Sequence, residues 1–419
     1  MLESLRIWPK IRERITAGPL GPYCDEYLSW LEKAGYSRLG IRRHIQAMDR
    51  LGCWLRSRRL GVADIDEQVI ERFVCSFHRI RSPRYISGRA SEIVGAVRRL
   101  AQFLWQRGVA NPHSSTAPTT PASRWLMSYE EYLRQVHGLS GGTRKIYLRY
   151  ARRFIGKLGG DGELDWSKLT AETVTEFVCT EAGRLKPCAC RGPVTATRAM
   201  LRFLLTSGVV LPGLLGAVPT VRQWKLATLP RYLSEEQLAC VLDQAESNNP
   251  NGLRDHAVVL LMARLGLRAG EVARLTLEDL DWAGGSVRIG PGKSATARQL
   301  PLSQELAEAL LAHLRARGSI PNVRWVFLCA GPPRHRPLRT AAVTCIAQRL
   351  LHRAGVSIDR PGAHVFRHTA ATQMLRRGVP FKQIADTLGH RLLETTTIYA
   401  KLDIARLAAL ALPWPGAKP

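Results

Sequence analysis

Two stretches of this chain repeat each other in order and spacing, which confines its first half to one kind of architecture. Glu71-Arg-Phe-Val-Cys75 is followed by Val97-Arg-Arg-Leu-Ala-Gln-Phe-Leu-Trp-Gln-Arg-Gly-Val109. Thr175-Glu-Phe-Val-Cys179 is followed by Thr197-Arg-Ala-Met-Leu-Arg-Phe-Leu-Leu-Thr-Ser-Gly-Val209 at nearly the same offset. Gly35-Tyr-Ser37 likewise has a counterpart in Gly138-Leu-Ser140. Within each copy apolar residues recur at intervals of three and four, as in Tyr27 to Leu31, Ile41 to Leu55, Val69 to Phe77 and Ile93 to Trp105, so each copy predicts about four helices. Any two small helical bundles share that periodicity. The common FVC and RxxxxFLxxxGV elements are more specific and indicate a duplicated unit.

Two breaks divide the chain. PHSSTAPTTPASR, from Pro112 to Arg124, is rich in Pro, Ser and Thr and reads as a linker. Pro212 to Pro230 has no clear period, and after it Ser234 and Gln237 are placed as a capping box at the start of a helix. The expected domains are 1–112, a linker at 113–125, a second bundle at 126–217, a third module at 230–402, and a C-terminal helix and tail at 403–419. The third module is mixed. Helical patterns at Glu235 to Gln244, Arg254 to Arg264 and Ala269 to Leu275 lead into strand patterns at Ser286 to Ile289 and Arg298 to Leu302 around a Gly290-Pro-Gly292 turn. A further strand is expected at Trp325 to Cys329. The fold class predicted is mostly α with a small β-sheet: two helical bundles, then an α+β domain.

The formal charge of +27 over 419 residues calls for a polyanionic partner. Nucleic acid fits better than a membrane surface, since there is neither a lipid-anchor signal nor an amphipathic polybasic helix. Along the second helix of each bundle lie Arg42, Arg43, Arg50, Arg56, Arg58 and Arg59, then Arg144, Lys145, Arg149, Arg152, Arg153 and Lys157. Such runs often mark only a solvated face. With this net charge they are candidate phosphate contacts, foremost Arg42, Arg43, Arg144, Lys145, Arg149 and Arg152. Charged residues interrupt the first twenty positions, and no long apolar run occurs elsewhere, so a cytoplasmic protein is expected. The nine scattered cysteines read as reduced thiols, and Cys188-Ala-Cys190, without a second Cys or His pair, falls short of a zinc site.

The chemistry is carried near the C-terminus. Arg268 lies in LGLRAGEVARL, Lys293 in GPGKSATARQLPL, and then come His364-Val-Phe-Arg367, Leu-Gly-His390 and Tyr399. Taken singly, each has an ordinary explanation: a surface lysine, a chance HxxR, a capping histidine, a packing tyrosine. Together they are the set that cuts a phosphodiester with a protein nucleophile and no metal. Two guanidinium forks hold the non-bridging oxygens and stabilise a five-coordinate phosphorus.

In these motifs the sequence resembles the tyrosine recombinases, the phage integrases and their relatives. LGLRAGEVARLTLEDLDW resembles the segment of the first catalytic arginine, with Glu271 at the accompanying acidic position. GPGKSATARQLPL resembles the β-hairpin lysine segment, HVFRHTAATQMLRRG the His-x-x-Arg box, and IADTLGHRLLETTTIYAKL the final His-to-Tyr box. The resemblance implies a catalytic domain of that fold behind a helical core-binding domain. It further implies that Tyr399 forms a 3′-phosphotyrosyl bond while Arg268 and Arg367 clamp the phosphate. Lys293 would protonate the leaving 5′-oxygen, His364 assist the tyrosine's proton transfer and His390 bond the phosphate, with no cofactor and no metal. The implied partners are double-stranded DNA at specific sites and further protomers in a tetramer, of the same chain or of other recombinases. A bacterial, nucleoid-associated setting in service of a mobile element follows from the same likeness. Two other functions stay open: a type IB topoisomerase that nicks and recloses with the same nucleophile and positive clamp, and a DNA-binding accessory protein that keeps the fold but is only an architectural partner. Residues 1–112 exceed the family's minimal plan and are expected to be a tandem core-binding duplicate.

Overall fold

The computed structural model describes residues 8–79, 89–112, 120–159, 164–185, 189–210, 212–220, 230–245, 249–292, 297–390, 392 and 395–402. Among them the chain is mostly helical with one three-stranded antiparallel sheet, the fold class expected. By its packing it separates into two units. One comprises Met1–Arg59, Arg84–Leu100 and Leu226–Pro419, and the other Leu60–Pro83 and Ala101–Lys225.

In the first unit, helices α1 (Pro9–Thr16), α2 (Cys24–Lys33) and α3 (Arg38–Ser57) open the chain. Ser37 caps α3 by accepting the Gly40 N–H at 3.2 Å, and Ile41, Ile45, Met48, Leu51 and Leu55 make its buried stripe. The Tyr27 hydroxyl meets His44 Nδ1 at 2.7 Å beneath this surface. Burial, followed by Arg99, pushes His44 down to about 4, so the ring is neutral. The turn after α2 needs glycine. Gly35 has φ +84°, and a Cβ there would stand 2.6 Å from Arg334 Nε. The loop bearing that arginine is fastened by Arg334 N–H to Ala34 O at 3.3 Å and by Arg99 Nη1 to Pro332 O at 3.3 Å.

The second unit holds α4 (Glu67–Arg79), the last turns of α5 (Arg89–Gln106), α6 (Pro121–Gln135), α7 (Gly141–Leu158), α8 (Ala171–Gly183) and α9 (Arg191–Thr206). In α7 Leu148, Ala151, Phe154 and Leu158 face inward at helical spacing and meet Phe177, Leu201 and Leu204. Burying a side chain like Phe154 contributes about 1.5–3 kcal/mol. The matched repeat elements end in the same turn. Gly108 (φ +70°) donates to Trp105 O at 3.0 Å and Val109 to Leu104 O at 3.1 Å. Gly208 (φ +68°) donates to Leu205 O at 3.1 Å and Val209 to Leu204 O at 2.9 Å. Both are left-handed helix caps that favour glycine.

The rest of the first unit is built on α11 (Pro250–Leu265), with α10 (Glu235–Asp243) before it and α12 (Ala269–Ala273) after it. Every residue from Ala257 to Ala263 is fully buried, as befits a helix surrounded on all sides. Strands β1 (Leu280–Asp281), β2 (Ser286–Ile289) and β3 (Arg298–Pro301) form the sheet in the order β1-β2-β3, with Val287 opposite Leu300 and Ile289 opposite Arg298. Helices α13 (Gln304–Arg317) and α15 (Ala363–Arg376) pack on α11, α14 (Thr340–Arg353) on α12, and α16 (Phe381–Leu388) on α15 and β3. Trp325 to Cys329, expected as a strand, makes only isolated bridges, Thr276 to Trp325 and Leu328 to Pro337. Its backbone bonds are divided between two short partners, Val326 N–H to Leu275 O on one side and Leu338 N–H to Phe327 O on the other, each 2.9 Å, so neither pairing extends into a ladder. No described helix is long and apolar enough to cross a membrane.

Candidate active site

Two glycine turns and one arginine set the frame. Gly266 ends α11 with φ +62°, and Gly389 ends α16 with φ +65°. Arg367, on α15, lies between them and donates Nη1 to Gly266 O and Nη2 to Leu388 O, each at 2.7 Å. Its guanidinium is therefore fixed by backbone carbonyls. Burial, and after it the neighbouring Arg268, pull Arg367 down to about 10, which leaves it cationic at neutral pH. Gly266 has no room for a side chain, since an added Cβ would run into Leu388 Cδ2. Gly266→Ala should destabilise the fold by about 2–5 kcal/mol, from left-handed strain plus overpacking. Urea unfolding checks this, and a loss below about 1 kcal/mol would mean that the turn relaxes.

Arg268 stands at the N-cap of α12, where Glu271 reaches back to accept its backbone N–H at 2.8 Å. Glu271 also accepts Arg268 Nη1 at 2.9 Å, while Arg268 Nη2 donates to Gly389 O at 3.2 Å. Burial pushes the Glu271 carboxyl up, but the hydrogen bonds from Arg298 and the Arg268 N–H outweigh it and hold the group below its ordinary value. It is thus an anion inside the domain.

His390 follows Gly389, with its N–H on Ala385 O at 2.8 Å and its Nδ1 2.7 Å from Thr396 Oγ1. Burial, then Arg367, Arg268 and Arg298, lower it to about 4. It is neutral at pH 7, with one ring N–H to donate. Tyr399 lies in the 3₁₀ turn Thr397–Leu402, 2% exposed, packed with Ala371, Leu375, Ile384 and Leu388. Its hydroxyl is 2.8 Å from His368 Nδ1, donating when that nitrogen is the unprotonated one. Burial raises Tyr399 to about 12, with Arg367 pulling the other way. Burial, then His364 and Arg367, lower His368 to about 4. At rest the pair is two neutral groups.

Of the six residues singled out in the sequence, the structure gathers Arg268, Arg367, His390 and Tyr399 around these turns. His364 is on α15 but exposed, and the histidine bonded to the tyrosine is His368. Lys293 lies outside the described residues, as do Cys188 and the 403–419 segment. Two members were missed, His368 and Arg298. Arg298 could have been found from alternation in the hairpin, because it shares a face of β3 with the buried Leu300. His368 follows Arg367 directly, and nothing in its spacing singled it out. Among the described residues no group of three His, Cys, Asp or Glu side chains could hold a metal ion.

Of the candidate DNA contacts, Arg42, Arg43, Lys145, Arg149 and Arg152 are exposed. Arg43 is 3.1 Å from Glu92, and Arg149 lies over the Tyr150 ring at 5.1 Å. Arg144 is partly buried and donates to Leu139 O at 2.7 Å, so it serves the turn before α7. Arg153 pairs with Glu181 and Lys157 with Glu176, both on α8.

A buried arginine, a partly buried second one, a phenol and neutral imidazoles are the groups that handling a phosphodiester requires, and comparison with known proteins gives the family. The model of the phage integrase family matches residues 231–406. A putative integrase/recombinase, y4rA, from Sinorhizobium fredii is 33% identical over 95% of this chain and 95% of its own. Tyrosine recombinase XerA from Thermococcus kodakarensis is 29% identical over 67% of this chain and 92% of its own. The crystal structure of the XerH site-specific recombinase bound to palindromic difH substrate matches with a TM-score of 0.54 at 18% identity, covering 83% of this chain and 95% of that one. The chain belongs to the phage integrase family. It is a tyrosine recombinase, an enzyme that cleaves and rejoins DNA.

Proposed function

We propose that the chain is the site-specific recombinase of a mobile DNA element in the bacterial cytoplasm, with Tyr399 as nucleophile. The Tyr399 oxygen bonds to the scissile phosphorus, the bond to the 5′-oxygen breaks, and Lys293 gives that oxygen its proton. Arg268 and Arg367 take the non-bridging oxygens, His390 donates its ring N–H to the phosphate, and His364 assists the tyrosine's proton transfer. A 5′-hydroxyl from a second strand then attacks the phosphotyrosine, so the bond energy is carried through the covalent intermediate. The observation that carries this reading is the Tyr399 hydroxyl held inside the same cluster as Arg367, Arg268 and His390.

The mobile-element role is supported by how the relatives align. The putative integrase/recombinase y4rA matches 95% of the chain, whereas XerA matches 67% of it. Residues 1–112 are, in this proposal, a second DNA-binding bundle in front of a core-binding bundle at 126–217, a catalytic domain at 230–402 and a tail at 403–419. The protein works as a tetramer on two duplexes. Strand exchange between two copies of an element end tests the role: relaxation of any supercoiled plasmid without paired sites would instead indicate a topoisomerase. Deleting residues 1–124 should shorten the nuclease footprint on each half-site and lower the salt dependence of binding. An unchanged footprint would refute the second bundle's role.

A further inference from the structure

Arg298 opens β3 with its side chain turned into the domain, 8% exposed. Its guanidinium meets both oxygens of Glu271, Nη2 to Oε2 at 2.9 Å and Nη1 to Oε1 at 3.3 Å. Glu271, with a side chain only 3% exposed, is the same carboxylate that takes the Arg268 N–H and Arg268 Nη1. One anion is shared by two arginines. Arg298 also lies on the turn before His390, where a Cβ on Gly389 would stand 2.6 Å from Arg298 Nη1. Gly389 O in turn accepts Arg268 Nη2. Arg298 therefore touches both groups that fix Arg268. Its Nε is buried with no hydrogen-bond partner among the described residues. An ionised, incompletely bonded guanidinium is costly inside a domain, and packing alone gives no reason for one here.

We propose that Arg298 is a positioning residue for the Arg268 phosphate contact. By balancing Glu271 it stops that carboxylate from drawing the whole Arg268 fork onto itself, and so leaves the fork aimed by one nitrogen on Glu271 and one on Gly389 O. Without Arg298, Glu271 is a buried carboxylate with a single cationic partner, and a bidentate clasp is the geometry such a pair prefers. The clasp turns Arg268 away from the phosphate. Arg298 touches no reacting atom and acts only through Glu271 and Gly389. The inference rests on reading Arg268 as a phosphate ligand.

The test uses the full-length protein on nicked duplexes that trap the covalent adduct. One duplex carries an ordinary scissile phosphodiester and the other a methylphosphonate, whose phosphorus lacks the anionic oxygen that the arginines stabilise. On the phosphodiester, Arg298→Gln should slow adduct formation by about 10- to 100-fold, as for groups that orient a ligand without contacting the reaction. DNA affinity should stay within about twofold, because one interior charge contributes little to a many-phosphate footprint. On the methylphosphonate, the losses of Arg298→Gln and Arg268→Ala, each relative to the parent protein, should shrink together. A defect in folding alone would be as large on both duplexes. If Arg298→Gln does not fold, Arg298→Met, which likewise removes the charge facing Glu271, is put through the same comparison. Phosphodiester cleavage within about threefold of the parent, or an equal loss on both duplexes, overturns the proposal. If Arg268→Ala itself shows no difference between the duplexes, the phosphate-ligand reading of Arg268 has failed, which is a separate result.

Discussion

Tyr399→Phe will bind its DNA site with unchanged affinity and form no covalent adduct. The substitution removes one oxygen and keeps the ring, so the packing against Ala371, Leu375, Ile384 and Leu388 survives. Its structural cost is the hydrogen bond to His368, about 0.5–1.5 kcal/mol, with His368 left as a neutral imidazole. A folded, DNA-competent protein is therefore expected. Among the described residues the hydroxyls bonded beside these groups are already committed, Thr396 to His390 and Thr372 to the His368 carbonyl, so neither stands in for the lost oxygen. A nicked duplex that releases a short strand on cleavage traps the parent protein as a denaturation-resistant band. Persistence of that band in Tyr399→Phe would dismiss Tyr399 as the nucleophile, and band loss together with lost binding would point to a folding defect.

The contrast between what was legible in this sequence and what was not follows from distance along the chain. The bundle helices and the hairpin at Ser286 to Pro301 were visible because their signals are local: periods of three to four, a period of two, Gly at left-handed turns. The candidate site motifs were visible because residue type and order match one chemistry. Arg298 and His368 were not, because their meaning arises only when separated segments meet. Arg298 matters because β3 packs beside α12 and the Gly389 turn, which brings it onto Glu271, 27 residues away in sequence. His368 matters because the Thr397–Leu402 turn folds back on α15, 31 residues away. The same limit explains Trp325 to Cys329. Its residues are strand formers, but its backbone bonds are divided between the segments at Leu275 and Leu338, and local pattern does not report which neighbours a segment meets.

Arg367→Lys should reduce adduct formation by about 10²–10³-fold, the loss seen when one preorganised donor to a developing oxyanion is removed. The lysine keeps a positive charge at almost the same place, so charge is not what the variant tests. In the parent, two nitrogens of one rigid fork are committed to Gly266 O and Leu388 O, and those bonds fix the direction in which the guanidinium presents itself. An ammonium on a flexible stem cannot span both carbonyls and keep that direction. One carbonyl is left without its donor inside the domain, which costs about 1–3 kcal/mol of stability and should lower the urea midpoint without abolishing folding. DNA affinity should change little, because a chain with a net charge of +27 spreads its binding over many phosphates. The defect therefore belongs in the cleavage rate and not in the dissociation constant. If the rate were unchanged and affinity fell instead, Arg367 would be a ground-state phosphate contact like any other, and the two glycine turns that seat it would have no catalytic meaning.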